Sequence, residues 1–176
     1  MATGEARLKE FFHWRVRRSF KDLGLVAPEA ADYISATLAR LYRLERVHSL
    51  ESRGRRVELP GSVVEMLLAA EAAPEPDLER DIRRHEADYI LFMAGLFRHY
   101  LERRRFFDFY LEQGRRDYRF VFEFERARLR PKAHLYLELA EGLPEFVGAL
   151  NYMRQVFFRD RAEDPGAFRA EVDRLS

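Results

Sequence analysis

The stretch DLERDIRRHEADYILFMAGLFRHY, residues 77–100, decides the fold. Asp77 suits a helix N-cap, and Glu79 and Asp81 place negative charge in a first turn, where the helix dipole favours it. The first half is polar and charged. From Tyr89 the pattern changes: Tyr89, Ile90, Leu91, Phe92, Met93, Ala94, Leu96 and Phe97 are apolar on nearly every face. A helix apolar all round is usually the central member of a bundle, so residues 77–100 are expected to form the core helix of an all-α protein.

Upstream, Leu8, Phe11, Phe12, Val16, Phe20 and Leu23 recur at three- and four-residue steps and predict an amphipathic helix over 5–23, stopped by Gly24. Pro28 at a first turn, followed by Ile34, Leu38, Leu41 and Tyr42, predicts a second helix through about Arg43. The helical period is lost from Val47 to Leu59. Ser52-Arg53-Gly54 is a turn signal between two short segments, so a loop or small hairpin is expected there. Ser62 with Glu65 three residues on makes a capping box for a short helix, which Ala73-Pro74-Glu75-Pro76 ends.

Downstream, residues 106–118 suit a helix whose small Gly114 permits close packing. Phe120, Phe122 and Phe124 then alternate with Glu123 and Glu125, which is a strand period. No partner strand of similar length is evident, so helix is the preferred reading of 120–130. After Pro131, His134–Ala140 and Pro144–Phe158 predict two helices joined at Glu141-Gly142. The tail from about 159 is polar, with one weak helix after Pro165. The expectation is one domain over 1–176, a bundle of six to eight helices with a small hairpin near 47–59.

Composition narrows the function classes. The 176 residues carry 31 Lys plus Arg against 30 Asp plus Glu, a net charge of +1, so no global positive field draws in a polyanion. With 47% hydrophobic and 14% aromatic residues the chain has enough apolar content to fold. Cysteine is absent, which removes disulfides, thiolate nucleophiles and Cys-zinc sites. No secretory signal pattern opens the chain and no apolar run is long enough to span a membrane, so a cytoplasmic protein without membrane contact is expected.

Motif chemistry is sparse. Neither phosphate-loop pattern occurs, and there is no Gly-x-Ser-x-Gly elbow. A carboxylate-bridged metal site in a bundle needs two Glu-x-x-His motifs. The chain has one, Glu45 to His48, in a segment where the helical period fades. The five histidines, including His85 beside Glu86, read as scattered surface residues, and neither metal nor cofactor is expected. The arginine groups at 53–56, 103–105 and 126–130 read as solvated charge; the last two sit near helix C-termini, where the dipole favours cations. No nucleic-acid partner is expected.

Polar residues set in apolar surroundings are the main candidates. Asp88 and Tyr89 open the apolar half of the core helix, and Tyr110, Arg115 and Tyr118 lie along the aromatic one. A buried Asp88–Arg115 pair bonded by a tyrosine is the structural reading, since a buried charge needs a partner. The functional reading is a pocket lined by the same five residues. Asp81, by contrast, is expected to be exposed.

Residues 87–97, ADYILFMAGLF, and 109–118, FYLEQGRRDY, resemble a widespread family of uncharacterised bacterial helical proteins. Such proteins show an Asp-Tyr-x-Leu-Phe-x-x-Gly-Leu/Phe-Phe segment and a Tyr-x-x-x-Gly-x-x-x-Tyr segment. Residues 31–38 are similar to that family's early helix. The resemblance implies a helical fold and carries no activity. The leading expectation is a non-enzymatic interaction or regulatory module that binds a protein partner or self-associates. The alternative is a small-molecule sensor or helical-bundle enzyme with a pocket around Asp88, Tyr110 and Arg115.

Overall fold

A computed structural model describes residues 4–43, 47–158 and 165–175. Among them lie eight α-helices and one two-stranded hairpin, in the order α1 (Gly4–Asp22), α2 (Pro28–Leu41), β1 (Ser49–Ser52), β2 (Arg55–Glu58), α3 (Val63–Glu71), α4 (Pro76–Leu96), α5 (Arg98–Arg103), α6 (Phe107–Ala127), α7 (Ala133–Phe157) and α8 (Pro165–Leu175). The protein is an all-α bundle with a small hairpin. Among the described residues, no helix is long and apolar enough to cross a membrane.

α4 is the central helix. It packs against α6, α3 and α7, and touches β1 and α2 at its first half. Ala87, Ile90, Leu91 and Ala94 have no exposed surface, as the all-round apolar pattern requires. Burial also extends into the charged half. Asp81, His85, Glu86 and Asp88 are all buried, so the expected exposure of Asp81 is corrected. The neighbouring helices and hairpin cover that half, and it carries its polar groups inside.

The helix ends follow local chemistry. Gly24 takes a φ of 70° after α1, where a Cβ would be strained. Ser62 Oγ accepts from the Glu65 amide at 3.2 Å, capping the first turn of α3, and donates to the Glu65 carboxylate at 2.8 Å. Arg53 and Gly54 both have positive φ (49° and 74°), which gives β1–β2 the tight turn whose twist matches the strands. α4 begins at Pro76 with Glu75 as its N-cap, two residues before the expected Asp77. It stops at Phe97, and α5 continues toward Arg103 as a separate short helix.

The preferred helical reading beyond Phe120 holds as far as Ala127, while the expectation for the next segment changes. α6 is helical throughout, because its buried positions, Gly114, Asp117, Tyr118, Val121 and Glu125, recur at three- and four-residue steps. The alternating phenylalanines are only partly buried; Arg83 covers the Phe120 ring at 4.6 Å and Arg80 the Phe124 ring at 5.3 Å. α7 is one helix through Pro144. Pro144 withholds one amide, but Leu139, Leu143, Phe146, Val147 and Leu150 form one continuous buried stripe across it, and packing overrides the break. The polar tail is also more than polar: Phe168 and Val172 of α8 enter the main core.

Candidate functional site

α2 and α4 cross so that one polar stripe of each faces the other. On α2, Tyr33, Thr37 and Arg40 share a face at helical spacing; on α4, Asp81, His85 and Asp88 do the same. Between these stripes, the start of α1 and the hairpin lies a cleft of about 740 Å³.

Asp88 forms its innermost wall and is 2% exposed. Oδ1 accepts hydrogen bonds from the Tyr33 hydroxyl at 2.7 Å and the Tyr118 hydroxyl at 2.8 Å; Oδ2 accepts from Arg40 Nη2 at 2.6 Å. Three donors, two from α2 and one from α6, converge on one carboxylate. Burial first, and the Asp88 charge second, push both tyrosine hydroxyls well above the ordinary range, so each keeps its proton and donates. Tyr136 of α7 closes the aromatic surround, its ring 5.9 Å from Tyr33 and 6.5 Å from Tyr118.

His85 is fixed from the hairpin side. Its Nε2 lies 2.8 Å from the Val47 carbonyl, which makes Nε2 the protonated nitrogen and turns the Nδ1 lone pair toward Arg40 Nη1 at 3.4 Å. Burial lowers the imidazole's affinity for a second proton, and the Arg40 and Arg84 charges add to that. Asp81 accepts from the Ser52 hydroxyl at 2.7 Å and pairs with Arg80 at 3.0 Å, tying β1 to α4. Arg84 lies 3.6 Å from Asp81 Oδ1 at the cleft wall.

The cleft is therefore bordered by five cationic side chains, Lys9, Arg40, Arg43, Arg56 and Arg84, against Glu5, Glu51, Asp81 and Asp88. Its two inner carboxylates are already saturated by protein donors. With their oxygens bonded to protein donors, these carboxylates hold the shape of the cleft wall. Among the described residues, no group of three or more His, Asp or Glu is placed to hold a metal ion. The Glu45-x-x-His48 motif lies outside the described residues at Glu45, and His48 is exposed.

The five sequence candidates separate. Asp88 and Tyr118 meet, as does Tyr33, which the sequence reading did not single out. Arg115 is exposed on α6, so the expected Asp88–Arg115 pair is replaced by Asp88–Arg40. The helical phase is the reason: Tyr118 faces inward, and Arg115 three residues earlier falls at the edge of that face and points out. Tyr89 and Tyr110 are half-buried beside Tyr100 and not on the cleft. His85, read as a surface residue, is buried, and so is Glu86 beside it. The missed residues carried a usable signal, since polar side chains at 33, 37 and 40 interrupt one edge of the α2 apolar face at helical spacing.

The arginine groups find local partners. Arg53 bonds Glu75 at 3.2 Å and also Asp77; Arg56 bonds Glu58, Arg126 bonds Glu123 and Arg130 bonds Glu125. Compared with known families, curated proteins and solved structures, the chain matches none. In this fold, residues 87–97 and 109–118 supply Asp88 and Tyr118.

Proposed function

We propose that the protein is a helical ligand-binding module whose α2–α4 cleft takes a small anionic molecule. The observation that carries this reading is the cleft itself: about 740 Å³, bordered by five cationic side chains, with its inner acids already bonded to protein donors. Ligand pockets typically span about 300–1,000 Å³, so the volume suits a metabolite-sized guest. Arg43 offers a planar fork to a carboxylate or phosphate, Arg84 adds positive charge from its place beside Asp81, and Asp88, itself bonded by Tyr33 and Tyr118, holds Arg40 in place. This is the sensor alternative with a different lining, Arg40 and His85 standing where Tyr110 and Arg115 were expected.

Native mass spectrometry of protein purified without stripping steps tests retention. Thermal denaturation with a panel of phosphorylated and carboxylated metabolites tests class. A ligand at 100 times its Kd adds about 2.7 kcal/mol of stability. Arg43→Glu, which leaves the Asp88 bonds untouched, is expected to abolish that shift. Equal shifts in wild type and variant, or none with any member of the panel, remove the reading.

A second reading, self-association, rests on a different feature. Trp14 is 57% exposed and stands edge-on to Phe157 at 5.4 Å, and exposed tryptophan is a residue type that anchors interfaces. Oligomers at multiples of 20.9 kDa that disappear in Trp14→Ser support it. A monomer at every concentration removes it.

A further inference from the structure

The opposite face of α4 carries a second polar group, independent of the cleft. By helical period, Glu79, Arg83, Glu86 and Ile90 lie about half a turn around from Asp81, His85 and Asp88, and they meet α6. Glu86 and Asp117 are both completely buried there. Asp117 Oδ1 accepts from the Gln113 amide at 3.1 Å and from Arg83 Nη1 at 3.2 Å. Among the described residues, Asp117 Oδ2 and both oxygens of Glu86 meet no donor. The two carboxyls face each other closely enough to bond once one of them is protonated.

Among the described residues, Arg83 is the one cation that acts on the pair. Glu71 approaches from α3 and adds negative charge. From α4 comes Arg83, which is shared with Glu79 at 2.9 Å. α6 contributes Asp117, Gln113 and the Tyr110 hydroxyl, which itself sits beside Tyr89 and Tyr100. One guanidinium thus serves Glu79 and Asp117 and leaves Glu86 bare. A buried acceptor without a donor is costly, and one proton placed between Glu86 and Asp117 Oδ2 supplies the missing donor.

We propose that Glu86 and Asp117 share one proton across the α4–α6 contact, forming an acid–carboxylate latch that opens when the pair becomes doubly ionised. Tyr118 is the next residue after Asp117, so the latch also sets the distance from which its hydroxyl reaches Asp88. Burial first, and Asp117 second, raise the Glu86 carboxyl to about 9; burial raises Asp117 to about 6 against the pull of Gln113 and Arg83. The pair titrates as a unit. Unfolded, Glu86 releases its proton near 4.5; folded, it keeps it to about 9. The unfolded chain therefore binds fewer protons between those values, and stability falls as pH rises through them.

The test is infrared titration of the full chain in heavy water, beside Glu86→Gln. The expected result is a protonated-carboxyl carbonyl band in the wild type at pH 7, titrating well above the ordinary carboxylate range and absent from the variant. The wild-type melting temperature falls from pH 6 to 9.5, while the variant stays flat, because the Gln amide donates to Asp117 at every pH. If the variant fails to fold, labelling glutamate alone with carbon-13 assigns the wild-type band. A wild type without the band at pH 7, a band that ignores glutamate labelling, or a band and pH slope unchanged in Glu86→Gln overturns the latch.

Discussion

α4 buries carboxylates on two opposite faces, and the two are accommodated by different means. At the cleft, Asp88 is met by Tyr33 and Arg40 of α2 and by the Tyr118 hydroxyl of α6, each within 2.8 Å. Toward α6, Glu86 has no donor, and its partner is another acid. The difference teaches that a helix can carry charge into a core by surrounding it with donors or by keeping it protonated. The first solution makes a fully bonded carboxylate and a shaped wall. The second makes a group whose charge depends on pH.

The largest effect expected is from Asp88→Ala. It strands Arg40 and leaves two buried hydroxyls without an acceptor, and losing one partner of a buried pair costs about 3–5 kcal/mol. Urea denaturation reads it directly; a loss no larger than that of an exposed substitution breaks the donor-shell half of the comparison. Gly114→Ala comes next and probes the other face. Its Cβ meets Ile90 Cγ2 and Leu143 Cδ2, each at 2.9 Å, one turn from Asp117. Overpacking of about 1–3 kcal/mol is expected to exceed the helix-propensity gain of about 1 kcal/mol. A more stable variant means that the α4–α6–α7 contact yields, and that the latch has less to hold.

Tyr33→Phe and Tyr118→Phe each remove one donor from the same Asp88 oxygen. Each should cost about 1–2 kcal/mol by itself. The double variant should lose more than the sum, because the second removal leaves Oδ1 bare; strict additivity in the cycle denies that the hydroxyls act on a shared acceptor. The smallest effect is Arg116→Ala. Its pair with Glu112 is on the surface at 3.1 Å, and such pairs are worth below about 0.5 kcal/mol. A larger loss shows that burial is not what separates these carboxylates.

Much of the fold was legible before the structure. The three- and four-residue spacing of Leu8, Phe11, Phe12, Val16 and Phe20 sets α1, the Ser62–Glu65 box sets the start of α3, and the run from Tyr89 to Phe97 marks α4 as central. Spacing was less informative where two periods overlapped. In α6 the phenylalanines alternate, but the residues that go inside are Gly114, Asp117, Tyr118, Val121 and Glu125. Pro144 misled because a local rule about amides says nothing of the apolar stripe that carries α7 past it. In the site, Asp88 and Tyr118 could be singled out as polar residues among apolar ones. Arg40 could not be paired with Asp88, because 48 residues separate them.

By itself, then, the sequence determined which segments are helices, which helix lies at the centre and that charged groups enter the core, because these follow from periodicity and local backbone chemistry. Only the tertiary structure decided which cation answers Asp88, that Glu86 faces Asp117, and that a cleft opens between α2 and α4. Partner choice for a buried charge depends on the rotation and crossing of helices distant in sequence, and no local pattern encodes those angles.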